Sequence, residues 1–246
     1  MARPASRPSA PLPPRMQRLL AEARAIVVGF AALVLALMLF THDAADPGFS
    51  TTGAGGEARN LLGASGAWAS DVLLMVFGLS AWWLVLLALT TFSSTFSIKV
   101  PNVSATISVS ETFVFICALL YGPSPATLVI AIDGLIISCW RRHRRLPQMV
   151  FNTAEPALSV FVAAHVFFWL SGLSPGQSPA IHIGRQILPL AAFTTTYFLL
   201  NSSLNAIVVS IQQQSRLWPV WRQHFGWVLL NYFGATSVAA LLVHDS

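Results

Sequence analysis

Three carboxylates stand in stretches of chain that are otherwise apolar: Glu111, Asp133 and Glu155. A carboxylate at the centre of a bilayer costs about 2.5–3.5 kcal/mol on insertion scales. Each must therefore face other helices, a water-filled pocket or a cation, or carry a proton. Asn152, Asn201 and Asn205 add amides at middle to cytosolic depths. Together these six residues form a candidate intramembrane polar pocket that opens toward the cytosolic half. Two chemistries fit. One is binding of a ligand or proton that biases helix packing, since a ligand shifts an equilibrium only through differential binding to two states. The other is interhelical hydrogen bonding, worth about 0.6 kcal/mol per contact. The readings weigh evenly for the carboxylates, and the packing reading leads for the asparagines. Pro156 follows Glu155 and removes a helix hydrogen bond, which predicts a kink. His165 lies further out on the same span, where a bond to a neighbouring helix is the plainer expectation.

No catalytic residue emerges. The sole lysine, Lys99, has no Gly-rich loop before it, so there is no phosphate-binding loop. His42-Asp43 and His244-Asp245 are isolated pairs without the further ligands a metal needs. Cys117 and Cys139 fall inside apolar spans near opposite faces, too far apart for a disulfide, and no zinc spacing exists. The expectation is a protein that is not an enzyme and holds no metal and no cofactor.

The elements that position these side chains are set by composition. Charged residues are 9% of the chain, against about a quarter in a soluble domain. Mean hydropathy is +0.66. Apolar runs at about 25–40, 71–91, 107–121, 126–140, 149–170, 186–211 and 225–243 predict seven spans, each near the roughly 20 residues that cross a bilayer. The fold class read from this is all-α: a polytopic membrane helix bundle of about seven transmembrane helices. Period-two alternation over Ser104–Ser110 suits extended chain better than helix at the start of the third span. Residues 1–24 carry five prolines and five arginines and read as a disordered basic cytosolic tail. After the first span, Thr41-His42-Asp43-Ala44-Ala45 places His or Asp where a cleavage site wants a small residue, so the span is expected to stay as an anchor.

Lysine and arginine fix the orientation. With a cytosolic amino terminus, Arg3, Arg7, Arg15, Arg18, Arg24, Lys99, Arg141, Arg142, Arg144, Arg145, Arg216 and Arg222 all fall inside, leaving Arg59 and Arg185 outside. This is the positive-inside distribution, with the cluster Arg141, Arg142, Arg144 and Arg145 as the strongest topology determinants. That placement also argues against nucleic acid as the target of the +5 net charge.

Two family resemblances cover different parts of the chain. Asp46-Pro47-Gly48-Phe49-Ser50, Ala58-Arg59-Asn60-Leu61-Leu62-Gly63, Gly66-Ala67-Trp68-Ala69-Ser70-Asp71 and Phe77-Gly78-Leu79 resemble the amino-terminal membrane region of the septal DNA translocase FtsK/SpoIIIE, over about residues 18–85. Further on, Phe96-Ser97-Ile98-Lys99-Val100-Pro101, Ser108-Val109-Ser110-Glu111-Thr112-Phe113, Leu119-Leu120-Tyr121-Gly122-Pro123, Asp133-Gly134 and Phe151-Asn152 with Ala154-Glu155-Pro156-Ala157-Leu158-Ser159 resemble a bacterial MASE-type membrane-associated sensor region, over about 88–243. Such regions precede GGDEF, HD-GYP or histidine kinase modules.

The resulting expectation divides the chain into the tail 1–24, a two-span FtsK-like region 25–91 with a periplasmic loop 41–70, and a five-span MASE-like region 92–246. Seven spans end outside, which reads as a fragment or a fusion. The leading functional reading is a non-enzymatic inner-membrane sensor or anchor module lacking its output domain. The alternatives are an FtsK-type septal anchor lacking its motor, with loop 41–70 as partner contact, and a small-solute carrier. The implied partners are the lipid bilayer, a homo-oligomer or membrane partner protein, and an unidentified small-molecule signal, with no nucleic acid.

Overall fold

A computed structural model describes residues 13–51, 57–96, 98–99, 106–107, 109–140, 145–175, 183–225 and 228–244. The chain forms α1 (Pro14–Phe40), α2 (Gly63–Phe77), a 3-10 turn (Gly78–Ala81), α3 (Trp82–Ser94), β1 (Ile98–Lys99), β2 (Thr106–Ile107), α4 (Ser110–Tyr121), α5 (Pro123–Trp140), α6 (Leu146–Ser171), α7 (Ile183–Gln213), α8 (Leu217–Phe225) and α9 (Val228–His244). The fold is a helical bundle with one two-residue antiparallel ladder, Ile98 opposite Ile107 and Lys99 opposite Thr106.

Among the described residues, five helical stretches are long and apolar enough to cross a membrane: Arg15–Phe40, Gly63–Ser94, Pro123–Trp140, Leu146–Ser171 and Arg185–Gln213. Ser110–Tyr121 and Asn231–Val243 are shorter apolar helices. The seven expected spans fall on these five stretches and two short helices. At 1.5 Å per residue α4 is about 18 Å long, less than the roughly 30 Å of hydrocarbon. It is short because it lies inside the bundle: Val114, Phe115, Cys117, Ala118 and Leu119 are all buried. A helix apolar on every side belongs in such a place. Phe115 anchors it, with ring centroids 4.9 Å from Phe193, 5.0 Å from Tyr197 and 6.4 Å from Tyr232.

Several boundaries differ from those read in the sequence. Residues 14–24 belong to α1 rather than to a disordered tail; Pro14 opens the helix, where its missing N–H costs nothing, and Arg15–Arg24 are mostly good helix formers. Residues 1–12 lie outside the described set. The loop ends at Leu62, not residue 70, because α2 starts at Gly63. The second span is broken: Gly78 has φ +59°, a conformation glycine tolerates and other residues rarely adopt. Its two parts differ in role. Ala81 and Val85 pack with Leu39, and a Cβ on Gly29 would lie 2.7 Å from the Phe92 ring. Hence α3 runs antiparallel along α1, and α2, beyond the break, meets the far end of α1, where Leu73 and Leu74 join the Leu39 cluster. Most of the polar joint expected between the last two apolar runs, over 212–224, together with Phe225 forms α8, Leu217–Phe225. β2 agrees with the extended reading of the chain ahead of α4. Arg141, Arg142 and Arg144 lie outside the described residues.

Two contacts align the ends of the bundle. The Arg24 guanidinium lies 5.5 Å from the Trp140 ring centroid and donates to the Trp140 carbonyl at 3.3 Å, so the start of α1 meets the end of α5. A Cβ on Gly122 would lie 2.6 Å from Pro175, so the α4–α5 turn meets the loop after α6. Arg15, Arg18, Arg24, Arg145, Arg216 and Arg222 therefore lie toward one end of the bundle, and Arg59 and Arg185 toward the other. α5 and α6 pack closely at Gly134, where a Cβ would stand 2.8 Å from the Asn152 carbonyl oxygen.

Candidate functional site: an intramembrane polar network and an outer cap

Glu155 is held by the helix that faces it. Its Oε2 accepts from Asn205 Nδ2 at 3.1 Å and from Asn201 Nδ2 at 3.5 Å, both on α7. Its Oε1 accepts from Ser159 Oγ, one turn along α6, at 3.2 Å. The i, i+4 spacing of Asn201 and Asn205 puts both amides on one stripe of α7. The network extends to α9: Tyr232 Oη donates to Asn201 Oδ1 at 3.1 Å, and Thr194 Oγ1 donates to Thr236 Oγ1 at 2.7 Å. Trp221 of α8 donates from Nε1 to Ser202 Oγ at 2.9 Å. Four helices are thus joined by side-chain hydrogen bonds within the apolar bundle.

The other candidates are placed differently. Asp133 is buried on α5, where Oδ2 accepts from Ser94 Oγ of α3 at 2.9 Å. Its Oδ1 and the nearby Thr91 Oγ1 are buried without a partner among the described residues. Glu111, in the first turn of α4, accepts from Ser110 Oγ at 3.4 Å and lies within electrostatic reach of Asp133, Tyr197 and Tyr232. Asn152 makes none of the described side-chain hydrogen bonds, and its backbone serves the close approach to Gly134. His165 is exposed and bonds the Phe161 carbonyl of its own helix at 2.8 Å, not a neighbouring helix. Among the described residues no arginine pairs with Glu111 or Glu155. Cys117 is buried and Cys139 exposed, both free and toward opposite ends of the α4–α5 hairpin.

At the other end of the bundle the chain between α1 and α2 folds into a cap. Asp46, buried, is its centre: Oδ1 accepts from the Arg59 amide at 2.7 Å and Oδ2 from the Asn60 amide at 2.9 Å. Asn60, also buried, then closes the end of α1. Its Nδ2 donates to the carbonyls of Met38 at 2.9 Å and Thr41 at 3.2 Å, and its Oδ1 accepts from the Leu62 amide at 3.1 Å. Asn60 so satisfies carbonyls that a helix end leaves without partners. Gly66 is required there, because a Cβ would collide with Asn60 Oδ1. Asp71 ties α2 to the loop, accepting from the Ser50 amide at 2.6 Å and the Ser50 hydroxyl at 2.9 Å. His42 Nδ1 bonds Ser70 Oγ at 3.0 Å, and Phe49 meets Trp68 edge to face at 6.1 Å. Arg59 pairs with Asp43 at 3.0 Å. The Ala45 amide and the Arg59 guanidinium hold the Asp43 carboxyl below its ordinary range. Sequence reading saw this loop as a Gly-rich partner contact; the signal for its fold was the pairing of Asp46 with Arg59-Asn60.

The cap lies within the part of the chain that is similar to known proteins. Residues 17–130 match the family described as the 4TM region of DNA translocase FtsK/SpoIIIE. This part of the chain is similar to an FtsK/SpoIIIE-type membrane region. The chain is 42% identical over 94 residues to DNA translocase FtsK 2 of Ralstonia nicotianae, covering 36% of this chain and 12% of that protein. It is 41% identical over 63 residues to DNA translocase FtsK of Pseudomonas putida, covering 26% of this chain and 8% of that one. A third relative, DNA translocase FtsK of Vibrio parahaemolyticus, is 45% identical over 53 residues, or 22% of this chain and 5% of the relative. The chain therefore spans a small part of the length of the curated relatives it matches. No solved structure matches. The FtsK-type match takes in α1, α2, α3, α4 and the first half of α5, and so runs well past the segment 18–85 on which the resemblance was read. It offers no support for the MASE-type reading. The chain is a multi-pass protein of the bacterial inner membrane.

Proposed function

We propose that this chain acts as a non-enzymatic inner-membrane anchor of the FtsK septal type, and that its outer cap, residues 41–71, is the surface offered to a membrane partner protein of the division site. The observation that carries this reading is the cap itself. Asp46 and Asn60 use buried hydrogen bonds to hold the described residues on either side of 52–56 together against the end of α1, while Phe49 and Leu61 remain exposed there. A loop that only joined two spans would not need Asp46 and Asn60 buried. The FtsK-type match contains the whole cap, which favours the anchor over a sensor module or a small-solute carrier. On this reading the network around Glu155 sets the packing of α6, α7 and α9 and is not a ligand pocket, and the arginine-rich end faces the cytosol. The test is midcell localisation of the full chain fused to a fluorescent protein. Deleting residues 43–60 should abolish the midcell band while membrane insertion persists. An unchanged band in the deletion variant would rule out the cap as partner contact.

A further inference from the structure

We propose that α8 is an in-plane interfacial helix that binds the phosphate headgroups of anionic phospholipids through Arg216 and Arg222. α8 packs principally on α7. Val220 is buried, Trp221 donates to Ser202, and its ring lies 5.8 Å from Phe198. The opposite flank is free. Trp218 is 67% exposed and stacks on Trp221 at 5.6 Å with an interplanar angle of 13°. Leu217, Arg216 and Arg222 are exposed beside it.

That free flank mixes an indole, a leucine and two guanidinium groups within two helical turns. Water would leave the indole and leucine without apolar cover, and hydrocarbon would strip the guanidinium groups. The headgroup layer accommodates both, with the aromatic ring at the boundary and the arginines at the phosphates. The position agrees, because α8 follows the end of α7 on the side where Arg24 meets Trp140. Charge agrees too. Arg15, Arg18, Arg24 and Arg145 share that end, with Glu22 as the acidic residue described outside the bundle there. A surface of this sign attracts anionic lipid, and the Trp221–Ser202 and Trp221–Phe198 contacts fix α8 so that Arg222 is presented together with Arg216, the residue just before the helix. The inference concerns a face outside the FtsK-type match and does not depend on the septal reading.

The full chain would be reconstituted in nanodiscs of phosphatidylcholine containing phosphatidylglycerol at one part in four. Selectivity for phosphatidylglycerol at the protein would be read from motionally restricted spin-labelled lipid. In parallel, a nitroxide attached after Trp218→Cys in a Cys139→Ser background would report depth. The expected result is a label at phosphate level. Selectivity in the Arg216→Gln/Arg222→Gln variant should fall, up to about fivefold per arginine, the equivalent of the roughly 1 kcal/mol that one arginine gains at an anionic surface. Arg15→Gln/Arg18→Gln should retain the α8 share. A label in bulk water, as for a helix docked on a soluble partner, would overturn the proposal. So would unchanged selectivity in the Arg216/Arg222 variant when its far-ultraviolet spectrum is that of the parent.

Discussion

Replacing Asn60 with alanine should open the outer cap without unfolding the bundle. Asn60 is 3% exposed and its side chain makes three hydrogen bonds, two to the end of α1 and one from the Leu62 amide. Each buried bond lost costs about 1 kcal/mol, and more where a carbonyl is left dry, so Asn60→Ala should weaken the cap by about 3 kcal/mol. At roughly 1.4 kcal/mol per factor of ten, that is on the order of a hundredfold. Amide hydrogen exchange of the purified chain in nanodiscs reads this directly. The Arg59 and Asn60 amides, bonded to Asp46 in the parent, should exchange about a hundredfold faster in the variant, because they exchange when the cap opens. Amides in α6 and α7 should be unaffected. Parent-like exchange at Arg59 and Asn60 would mean that the cap is held by something other than the Asn60 side-chain bonds to the end of α1 and the Leu62 amide, and the case for a prebuilt partner surface would fail with it.

Other expectations follow the same physical lines. The Asp43 carboxyl is depressed by the Ala45 amide and by Arg59. Its stabilising contribution is therefore present above the unfolded value of 3.8 and is lost as pH falls through the lower folded value. Carboxyl carbon titration should give a midpoint below 3.8, and Arg59→Gln should move it up. Gly134→Val drives a side chain into the Asn152 backbone and should cost about 1–3 kcal/mol in thermal unfolding in detergent; a neutral result would show that α5 and α6 are not in the contact described. Asp133→Asn keeps an acceptor for Ser94 and removes a carboxyl group whose second oxygen is unpaired. It should leave the unfolding midpoint unchanged or raise it, whereas a fall of several degrees would assign the carboxyl a partner that is not among the described contacts.

Much of this architecture is legible in the sequence because hydrocarbon enforces it. The seven apolar runs fall on five long apolar helical stretches and two shorter helices, and among the described residues Arg15, Arg18, Arg24, Arg145, Arg216 and Arg222 lie toward one end. Boundaries were less legible where two demands compete. α1 extends back to Pro14 because helix propensity overrides the polar, arginine-rich composition of residues 14–24. α2 parts from α3 at Gly78, which hydropathy alone cannot reveal, since apolar residues continue on both sides of the break. α8 went unseen because arginine and glutamine interrupt its apolar residues, and only the seat of Trp221 on α7 makes it a helix with a side. Among the polar residues, depth grouped Glu155, Asn201 and Asn205 with three others in one candidate pocket, but that α7 brings its two amides to Glu155 in particular needed the packing of α6 against α7. Asn152 had the same depth but the wrong face. Asp133 turned to Ser94 on α3, a pairing across 39 positions that no local pattern encodes.

The central claim is that this chain is a bundle of membrane-crossing helices with the cap outside and the arginine-rich end in the cytosol. The most direct test places single cysteines in a Cys117→Ser/Cys139→Ser background and labels intact cells with a membrane-impermeant maleimide able to pass the outer membrane. Glu57→Cys should react from outside, and Gln214→Cys should react only after the inner membrane is permeabilised. Labelling of position 214 in intact cells with position 57 protected would contradict the claim.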